Sequence, residues 1–549
     1  DFVRNVCDVM NRQEGDDLPV STFKGWEDGT FTTGTSHYER PAAAIQVPEW
    51  IPENCISCNQ CAFVCPHAAI RPFIVTEEEE ARAPEGFICR DLPGPKKGLK
   101  YRIIVSPEDC YGCSICANVC PAPKKALVMK PIETQLDKQK YWDYAITLPR
   151  KENPMNKFTV RGSQFEPTYF EFSGACAGCG ETPYVHLVTN LFGDRMLIAN
   201  ATGCSSIYGA SAPSMPYCTN AEGQGPAWAN SLFEDNAEFG LGMHLGEIKL
   251  RRRVEEKLNE VLPSSDENTK TAIEEWIAGK DVGDGTRSRA EKLEAALNAK
   301  VSSHPEYKEI LALKDHFIKK SQWIFGGDGW AYDIGFGGLD HVLASGEDIN
   351  VLVLDTEVYS NTGGQSSKST PAAAIAKFAA AGKKTKKKDL GMIAVSYGYI
   401  YVAQIALGAD MNQAVKAIHE AESYPGPSLI IAYAPCINHG IKAGMGEASA
   451  EQKAAVECGY WCNWRYDPRL LDAGKNPFHL DSREPKGDFR KFLLGEVRYA
   501  SLQKLFPQEA EALFEKTEKD ARARRQSYVR MQKSFDLEMQ EHQAAAEQR

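Results

Sequence analysis

The pattern of apolar residues changes near residue 169, where the sequence takes on the alternation of an α/β protein. Short apolar runs that are typical of buried parallel strands recur from there, separated by helical stretches such as residues 401–421. Because parallel strands need crossover connections, this alternation predicts a doubly wound parallel sheet within an α/β domain over residues 169–480. The predicted strands are MLIAN at 196–200, QWIF at 322–325, INVLVLD at 349–355, LGMIAVS at 390–396 and SLIIAYA at 428–434.

The remaining segments have other patterns. Residues 245–320 combine helical spacing with mixed charge, which predicts a helical insertion into the α/β domain. Residues 481–549 have the same character and predict a helical C-terminal extension that packs on a surface or a neighbour. Before the α/β domain we predict an irregular arm at 1–48, a small cysteine-rich domain at 49–130 and a polar linker at 131–168.

Composition and charge exclude several classes of protein. The chain has 549 residues, 43% of them hydrophobic, which is enough for several packed domains. Its net charge of −11 argues against nucleic acid as a partner. No run of about 18 apolar residues occurs, so we expect no membrane span. The sequence opens at Asp1 without the pattern of a signal peptide, so we expect the chain to begin within a longer polypeptide.

The 17 cysteines are grouped in short motifs within a large chain. Disulfide frameworks are instead typical of small secreted domains. We therefore interpret the grouped cysteines as metal ligands, and we expect a reducing, cytoplasmic compartment.

Two cysteine motifs carry the strongest chemical signal. The segments CISCNQCAFVCP and CYGCSICANVCP both follow C-x2-C-x2-C-x3-C-P, the spacing of bacterial two-cluster ferredoxins, which predicts an α+β ferredoxin-like domain. One tight loop can present three thiolates to a cubane but cannot reach its fourth corner, so each motif should complete the other's cluster. Structural zinc favours paired C-x2-C and fits this spacing poorly. The predicted 4Fe–4S ligands are Cys55, Cys58, Cys61 and Cys120 for one cluster, and Cys110, Cys113, Cys116 and Cys65 for the other.

A glycine-rich segment follows the predicted strand at 322–325. A lone GDG is most often a turn, but here a second strand about 28 residues on ends in DTEVYSNTGG. This pairing resembles the thiamine-diphosphate motif, and no G-x-G-x-x-G supports a nicotinamide site instead. The resemblance implies a Mg²⁺ ion held by Asp328, the Thr356 hydroxyl and the Val358 carbonyl. Gly327 and Gly329 would let the backbone approach the phosphates.

A third group of cysteines is ambiguous when it is taken alone. Cys176 and Cys179 form a C-x2-C pair, and Cys204 follows a predicted strand. Such a group suits zinc, an iron–sulfur cluster or redox chemistry about equally. From the residues alone, the fourth ligand stays open among Cys218, Cys436, Cys458 and Cys462.

The motifs together resemble one family. Two ferredoxin motifs, CAGCGETPY, NATGCSSIYG, WANSLFEDNAEFG, GDGWAYDIG, DTEVYSNTGGQ and APCINHG follow one another in the order of the pyruvate:ferredoxin (flavodoxin) oxidoreductases. The chain looks like the C-terminal half of their single-chain form. The resemblance implies that Cys176, Cys179, Cys204 and Cys436 hold a third 4Fe–4S cluster. It also implies a catalytic role for Asn361, facing the substrate, and thiamine-diphosphate contacts from Glu181, Cys204, Phe233, Gly327, Asp328, Gly329, Trp330, Thr356, Glu357, Val358, Tyr359, Ser360 and Asn361.

The implied reaction is the oxidative decarboxylation of pyruvate with coenzyme A to acetyl-CoA and CO₂. Electrons would pass through three 4Fe–4S clusters to ferredoxin or flavodoxin. The implied cofactors are those clusters, thiamine diphosphate and Mg²⁺, and the implied partners are the family's N-terminal domains within a homodimer. Two alternatives stay open on the sequence: a plain iron–sulfur electron-transfer protein, and an oxidoreductase for another 2-oxo acid.

Two weaker signals have ordinary interpretations. The basic run at 383–388 is more typical of a solvated loop than of a patch that attracts an acidic partner. His439 is more often a packing or hydrogen-bonding residue than a ligand.

Overall fold

A computed structural model describes residues 1–94 and 98–547, with side chains described to residue 541. Residues 95–97 of the predicted ferredoxin-like domain lie outside the described residues. The last two residues of the predicted C-terminal extension, 548 and 549, also lie outside them. Within the described residues, no helix combines the length and the apolar character that crossing a bilayer requires.

The first 145 residues build a small α+β unit. A three-stranded antiparallel sheet has the order β2–β4–β3, and β1 pairs antiparallel with β5. The strands are β1 Gln46–Trp50, β2 Ile70–Thr76, β3 Arg90–Asp91, β4 Leu99–Val105 and β5 Leu127–Pro131. The α-helices are α1 Asp8–Asn11, α2 Gln60–Phe63, α3 Glu77–Arg82, α4 Ile115–Val119 and α5 Gln139–Ala145.

The segment interpreted as a linker, residues 131–168, starts within that unit, because its helix α5 shares the unit's core. Trp142 of α5 is buried and meets Phe73 of β2 edge to face, with ring centroids 5.9 Å apart. A short helix, α6 Val160–Ser163, follows. A linker that buries an indole in the neighbouring core fixes the distance between the parts it joins.

The central sheet has eight strands in the order β13–β12–β10–β11–β9–β8–β6–β7. The strands from β10 to β7 in this order are mutually parallel, whereas β12 and β13 are antiparallel additions at one edge. Buried side chains fill both faces, so the predicted doubly wound fold is confirmed. The strands are β6 Met196–Ala201, β7 Ala227–Ser231, β8 Ser321–Gly327, β9 Asn350–Asp355, β10 Tyr401–Ile405, β11 Ser428–Tyr433, β12 Trp464–Tyr466 and β13 Phe478–Leu480.

Helices cover both faces of this sheet. Helix α7 Thr182–Phe192 precedes the first strand. Between the strands lie α8 Cys204–Gly209, α9 Asn236–Val261, α10 Glu267–Gly279, α11 Thr286–Lys300, α12 Tyr307–Leu311, α13 Phe336–Ala344, α14 Leu390–Val395, α15 Met411–Glu422, α16 Ala448–Glu457 and α17 Arg469–Asp472. The chain continues in α18 Phe489–Gly495, α19 Val497–Leu505 and α20 Pro507–Glu547.

The predicted strand at 390–396 is wrong, and so is the helix predicted to begin at 401. Residues Leu390–Val395 form α14, whose first turn is capped by the Asp389 carboxylate accepting from the Met392 N–H at 3.2 Å. Residues Tyr401–Ile405, where the helix was predicted to begin, form the strand β10. Helix α15 begins only after Asp410, whose carboxylate accepts from the Gln413 N–H at 2.9 Å. A short apolar run fits either element, and the aspartate caps were the deciding signals.

Two helical regions surround the sheet. Helices α9 to α12 enclose their own apolar core around Trp276, Leu293 and Tyr307, in the region predicted as an insertion. The first helix of this region, α9, begins at Asn236, earlier than the predicted start of the insertion at residue 245. In the C-terminal region, Phe514 and Tyr528 of α20 are buried in the main core, so this helix packs on its own chain.

His186 offers a test of this core through the pH dependence of stability. It lies buried in α7, where burial, and then the nearby Arg71, lower its pKa to about 3. The pKa of His186 is higher in the unfolded chain, so protonation favours unfolding. The folded protein is therefore most stable above about pH 6.5 and loses stability as the pH falls below that value. We expect His186→Gln to reduce the loss of unfolding free energy between pH 7.5 and 5.5 by about 1.4 kcal/mol.

Urea unfolding at several pH values measures this slope. The same substitution at the exposed His341 is the control. An unchanged slope in His186→Gln would contradict the assignment of a buried, neutral imidazole.

Candidate functional site

Both ferredoxin motifs adopt the same tight loop. Ser57 and Asn59 in the first motif have φ values of 56° and 61°, and Gly112 and Ser114 in the second have 67° and 65°. These left-handed residues curl the chain, so that α2 and α4 start directly at the end of each loop. The N–H groups of Ser57 and Gly112 donate to the sulfurs of Cys55 and Cys110, each at 3.4 Å.

The structure brings the thiols together across the two motifs. Cys61 has Cys58, Cys55 and Cys120 as electrostatic neighbours. Cys116 is surrounded by Cys113, Cys110 and Cys65, and it also lies near Cys61 of the other group. Each predicted set therefore converges, with its fourth thiol supplied by the other motif, and the two sets are adjacent.

Ionisation of these buried thiols is unfavourable without a bound metal. Burial, and then the neighbouring cysteines, raise the pKa of Cys116 well above its ordinary value, and burial raises the pKa of Cys113 to about 11. Iron supplies the positive charge that stabilises such buried thiolates. The donor chemistry therefore fits the predicted clusters.

The third set of thiols is assembled from three separate loops. Cys176 and Cys179 precede α7, Cys204 starts α8 just after β6, and Cys436 follows β11. Cys179 and Cys204 both have Cys436 as an electrostatic neighbour, and Cys436 has Cys176. A Cβ at Gly180 would lie 2.5 Å from the Pro435 carbonyl oxygen, so this glycine permits the close approach of two of the loops.

The other candidates for the fourth position lie elsewhere. The Cys218 thiol donates to the Thr168 carbonyl at 3.3 Å, and Cys458 and Cys462 are packed in the core on the opposite face of the sheet. Of the four thiols that the sequence left open, Cys436 is the one that the structure places in this set.

The three thiol sets form a row. The backbone of Gly178, between Cys176 and Cys179, lies next to the sulfur of Cys113. On the far side, the Cys204 sulfur lies 3.2 Å from the Ser360 hydroxyl oxygen. The third set therefore lies between the ferredoxin-like unit and the loop predicted to bind thiamine diphosphate.

A crevice opens where β8 and β9 end. Asp328 directly follows β8, and Thr356 and Val358 follow β9. The described residues that line the crevice are Glu181, Thr202, Gly203, Cys204, Ser205, Phe233, Gly327, Asp328, Gly329, Trp330, Thr356, Val358, Tyr359, Ser360, Asn361 and Thr362. This edge of a parallel sheet is where open α/β folds bind ligands.

Three oxygens in the crevice have the spacing that a small divalent cation requires. The Thr356 hydroxyl oxygen lies 3.0 Å from Asp328 Oδ1 and 3.0 Å from the Val358 carbonyl oxygen. Adjacent ligands of octahedral Mg²⁺, each about 2.1 Å from the ion, are about 3.0 Å apart. Burial, and then Asp355, raise the pKa of Asp328 well above its ordinary range, a cost that a bound cation offsets. The residues present fit Mg²⁺.

The remaining walls of the crevice carry a buried carboxyl group and two glycines. Burial raises the pKa of Glu181 to about 7, although the neighbouring Tyr208 side chain opposes the shift. A Cβ at Gly329 would lie 2.4 Å from the Tyr359 ring, whereas a Cβ at Gly327 would meet only the Leu354 carbonyl oxygen, at 3.9 Å. The glycines therefore have different roles: one admits a neighbouring side chain, and the other leaves room for a ligand.

The prediction that the Glu357 side chain contacts the cofactor is corrected by the structure. Its side chain does not line the crevice. The carboxylate is buried behind the loop, where it accepts from Lys387 at 2.9 Å and from Arg498 at 2.8 Å. The sequence placed Glu357 between two predicted ligands, but its partners are distant in the chain and could not be inferred.

The basic run at 383–388 is also buried in part, so the solvated-loop interpretation is wrong for three of its lysines. Lys387 pairs with Asp355 at 2.8 Å and with Glu357. Lys383 donates to the carbonyls of Ser367 and Thr370, each at 2.6 Å, and Lys388 donates to the Tyr332 carbonyl at 3.1 Å. These lysines tie the loop after β9 to the fold.

His439 is a hydrogen-bonding residue, as predicted. It is fully buried, and its Nε2 lies 2.7 Å from the Thr356 carbonyl oxygen. Because a carbonyl only accepts, Nε2 carries the proton.

Comparisons with known families agree with both parts of the structure. The 4Fe–4S dicluster domain family matches residues 54–124. The thiamine pyrophosphate enzyme C-terminal domain family, a TPP-binding domain, matches residues 293–432. A domain of unknown function, EKR, matches residues 1–42. The fold and these matches define a chain that joins a 4Fe–4S dicluster domain to a thiamine-diphosphate-binding domain.

Individual relatives specify the family. A pyruvate-flavodoxin oxidoreductase from Klebsiella pneumoniae is 60% identical over 97% of this chain and 45% of its own length. A pyruvate:ferredoxin oxidoreductase from Moorella thermoacetica is 56% identical over 97% and 46%. A mitochondrial pyruvate dehydrogenase (NADP+) from Euglena gracilis is 49% identical over 97% and 29%. The chain belongs to the pyruvate:ferredoxin (flavodoxin) oxidoreductases and spans less than half the length of these relatives.

The third thiol set gives a quantitative prediction. Three cubanes require about twelve irons per chain, and loss of one ligand labilises one cubane, so we expect Cys436→Ser to retain about eight. Cys458→Ser, in the core, is the matched control and should keep about twelve. Iron and acid-labile sulfide analysis of anaerobically purified enzyme measures both. Full iron content in Cys436→Ser would remove this residue from the ligand set.

Proposed function

We propose that the enzyme containing this chain oxidatively decarboxylates pyruvate with coenzyme A to acetyl-CoA and CO₂, and passes electrons through three 4Fe–4S clusters to ferredoxin or flavodoxin. The observation that carries this proposal is the contact between the third thiol set and the crevice, where the sulfur of Cys204 lies 3.2 Å from the hydroxyl of Ser360. An iron–sulfur centre at this position would border the cofactor directly.

Asp328, Thr356 and Val358 would hold Mg²⁺, and the ion would hold the diphosphate. The helical turn Gly329–Ile334 begins directly after Asp328, so its first backbone N–H groups would lie near the diphosphate. When it is bound, thiamine diphosphate supplies an electron sink for loss of CO₂ from a 2-oxo acid. Glu181 would hold a proton beside the ring system, and Asn361, at the exposed rim, would orient the substrate.

The row of thiol sets supports a one-electron route away from the crevice. The first step would lead to the set that contains Cys204 and Cys436. Gly178 lies next to Cys113, which would place the next cluster beside the third set, and Cys116 lies near Cys61 of the outermost set. A carrier such as ferredoxin or flavodoxin would accept electrons at the outer end. None of the seventeen cysteines, all within the described residues, forms a disulfide, and their proposed use as iron ligands favours a reducing, cytoplasmic setting.

The family resemblance assigns the rest of the site to N-terminal domains. These would supply further contacts to the cofactor and to pyruvate, and the enzyme would act as a homodimer. Iron–sulfur electron transfer without thiamine, and activity on another 2-oxo acid, are the competing functions. The first competitor is tested by cofactor binding and the second by comparing 2-oxo acids in the complete enzyme.

Removal of the Asp328 carboxylate tests the thiamine site. We expect Asp328→Ala to weaken Mg²⁺-dependent thiamine diphosphate binding at least tenfold, because the ion loses its one charged protein ligand. Asp315→Ala, at an exposed position, is the control. Calorimetric titration of the purified enzyme measures the affinity. If wild-type enzyme binds no thiamine diphosphate, or if the variant binds it normally, the proposal fails.

The isolated chain provides a second test. We expect residues 1–549 expressed alone to turn over no pyruvate, and the addition of the family's N-terminal domains to restore carrier reduction that depends on pyruvate and coenzyme A. Reduction of a flavodoxin or ferredoxin, followed by absorbance, measures this. Turnover by the chain alone would contradict the division of the site between the two halves.

A further inference from the structure

A network of charged and polar side chains lies buried behind the crevice. It contains three carboxylates, two cationic side chains, an imidazole and a phenol, and none of them lines the crevice. We call it the charge network: Asp355, Glu357, Lys387, His439, Tyr460, Glu496 and Arg498. Because buried charges are costly to desolvate, so large a group needs mutual pairing to persist.

The centre of the charge network is Glu357, whose backbone has a φ of 60°. This left-handed conformation is unfavourable for a residue with a side chain and persists only where the surroundings enforce it. It also turns the chain so that the flanking Thr356 hydroxyl and Val358 carbonyl lie 3.0 Å apart. The geometry of the cation site therefore depends on an unfavourable conformation at Glu357.

Three donors hold the Glu357 carboxylate. Lys387 donates at 2.9 Å to one oxygen, and Arg498 donates at 2.8 Å to the other, which also accepts from the Tyr460 hydroxyl. Charge-assisted bonds of this kind in a buried site are strong and directional. They supply the constraint that the backbone of Glu357 requires.

Arg498 also reaches the other side of the same loop. It donates at 2.7 Å to Glu496, whose second oxygen lies 3.5 Å from His439 Nδ1. The opposite ring nitrogen of His439 donates at 2.7 Å to the carbonyl of Thr356. The guanidinium, carried on α19, is therefore bound directly to Glu357 and to Glu496, and Glu496 lies beside the His439 ring that donates to Thr356.

We propose that Arg498 is a positioning residue for the cation site, through which the C-terminal helices set the spacing of the Thr356 and Val358 oxygens. The inference rests on the proposed thiamine diphosphate site. Without the guanidinium, Glu357 and Glu496 would repel each other in a buried space, and the loop would relax from its left-handed turn. The loss would appear as weaker Mg²⁺ binding, because Arg498 touches no part of the crevice.

The test uses the complete enzyme and the Mg²⁺ concentration that gives half-maximal thiamine diphosphate binding at a fixed cofactor concentration. We expect Arg498→Met to raise this concentration at least tenfold, with iron content and circular dichroism preserved. Arg498→Lys retains the charge and should recover part of the loss. Arg490→Met is the matched control, because Arg490 joins α18 to Glu511 of α20 at 2.6 Å without touching the loop.

A milder variant covers the case in which Arg498→Met does not fold. Tyr460→Phe removes one donor from Glu357 and leaves Arg498 in place, so we expect a two- to fivefold rise in the half-saturating Mg²⁺ concentration. An unchanged Mg²⁺ requirement in folded Arg498→Met, or in Tyr460→Phe if the first variant is unfolded, would overturn the inference alone. Absence of Mg²⁺-dependent binding in wild-type enzyme would instead overturn the proposed function.

Discussion

Neighbouring parallel strands end at one edge of the central sheet, and the candidate site depends on that convergence. In the order β11, β9, β8 and β6, the strands are followed by Cys436, Thr356, Asp328 and Cys204. Two thiols therefore flank two side chains of the proposed cation site along a single edge. Because parallel strands present their carboxyl ends together, residues more than 200 positions apart in the chain meet without any special connection.

Close packing at that edge links the metal chemistry to the cofactor chemistry. Glycines occupy the points where loops approach most closely: Gly180 faces Pro435, and Gly446 would place a Cβ 2.5 Å from the Cys113 carbonyl oxygen. Any side chain at these positions would push the thiol sets apart. Electron transfer depends steeply on distance, so these contacts bear on the proposed route as directly as the ligands do.

The parts of the fold and site that could be predicted from sequence are those with local signatures. The ferredoxin-type spacing anticipated thiol sets that converge across two motifs, and GDG with its second loop anticipated the three oxygens at Asp328, Thr356 and Val358. The errors arose where distant partners decide the outcome. Leu390–Val395 became a helix and Tyr401–Ile405 a strand, although both are short apolar runs. Glu357 and Lys387 are paired with each other behind the crevice, and nothing local to either residue indicates this.

The central claim is that an iron–sulfur centre borders the thiamine crevice. Anomalous scattering at the iron edge, from anaerobic crystals of the complete enzyme soaked with Mg²⁺ and thiamine diphosphate, tests it most directly. The account predicts three iron centres per chain, one of them enclosed by Cys176, Cys179, Cys204 and Cys436 and next to the bound cofactor. Iron confined to the two centres of the ferredoxin-like unit, with none beside Cys204, would contradict it.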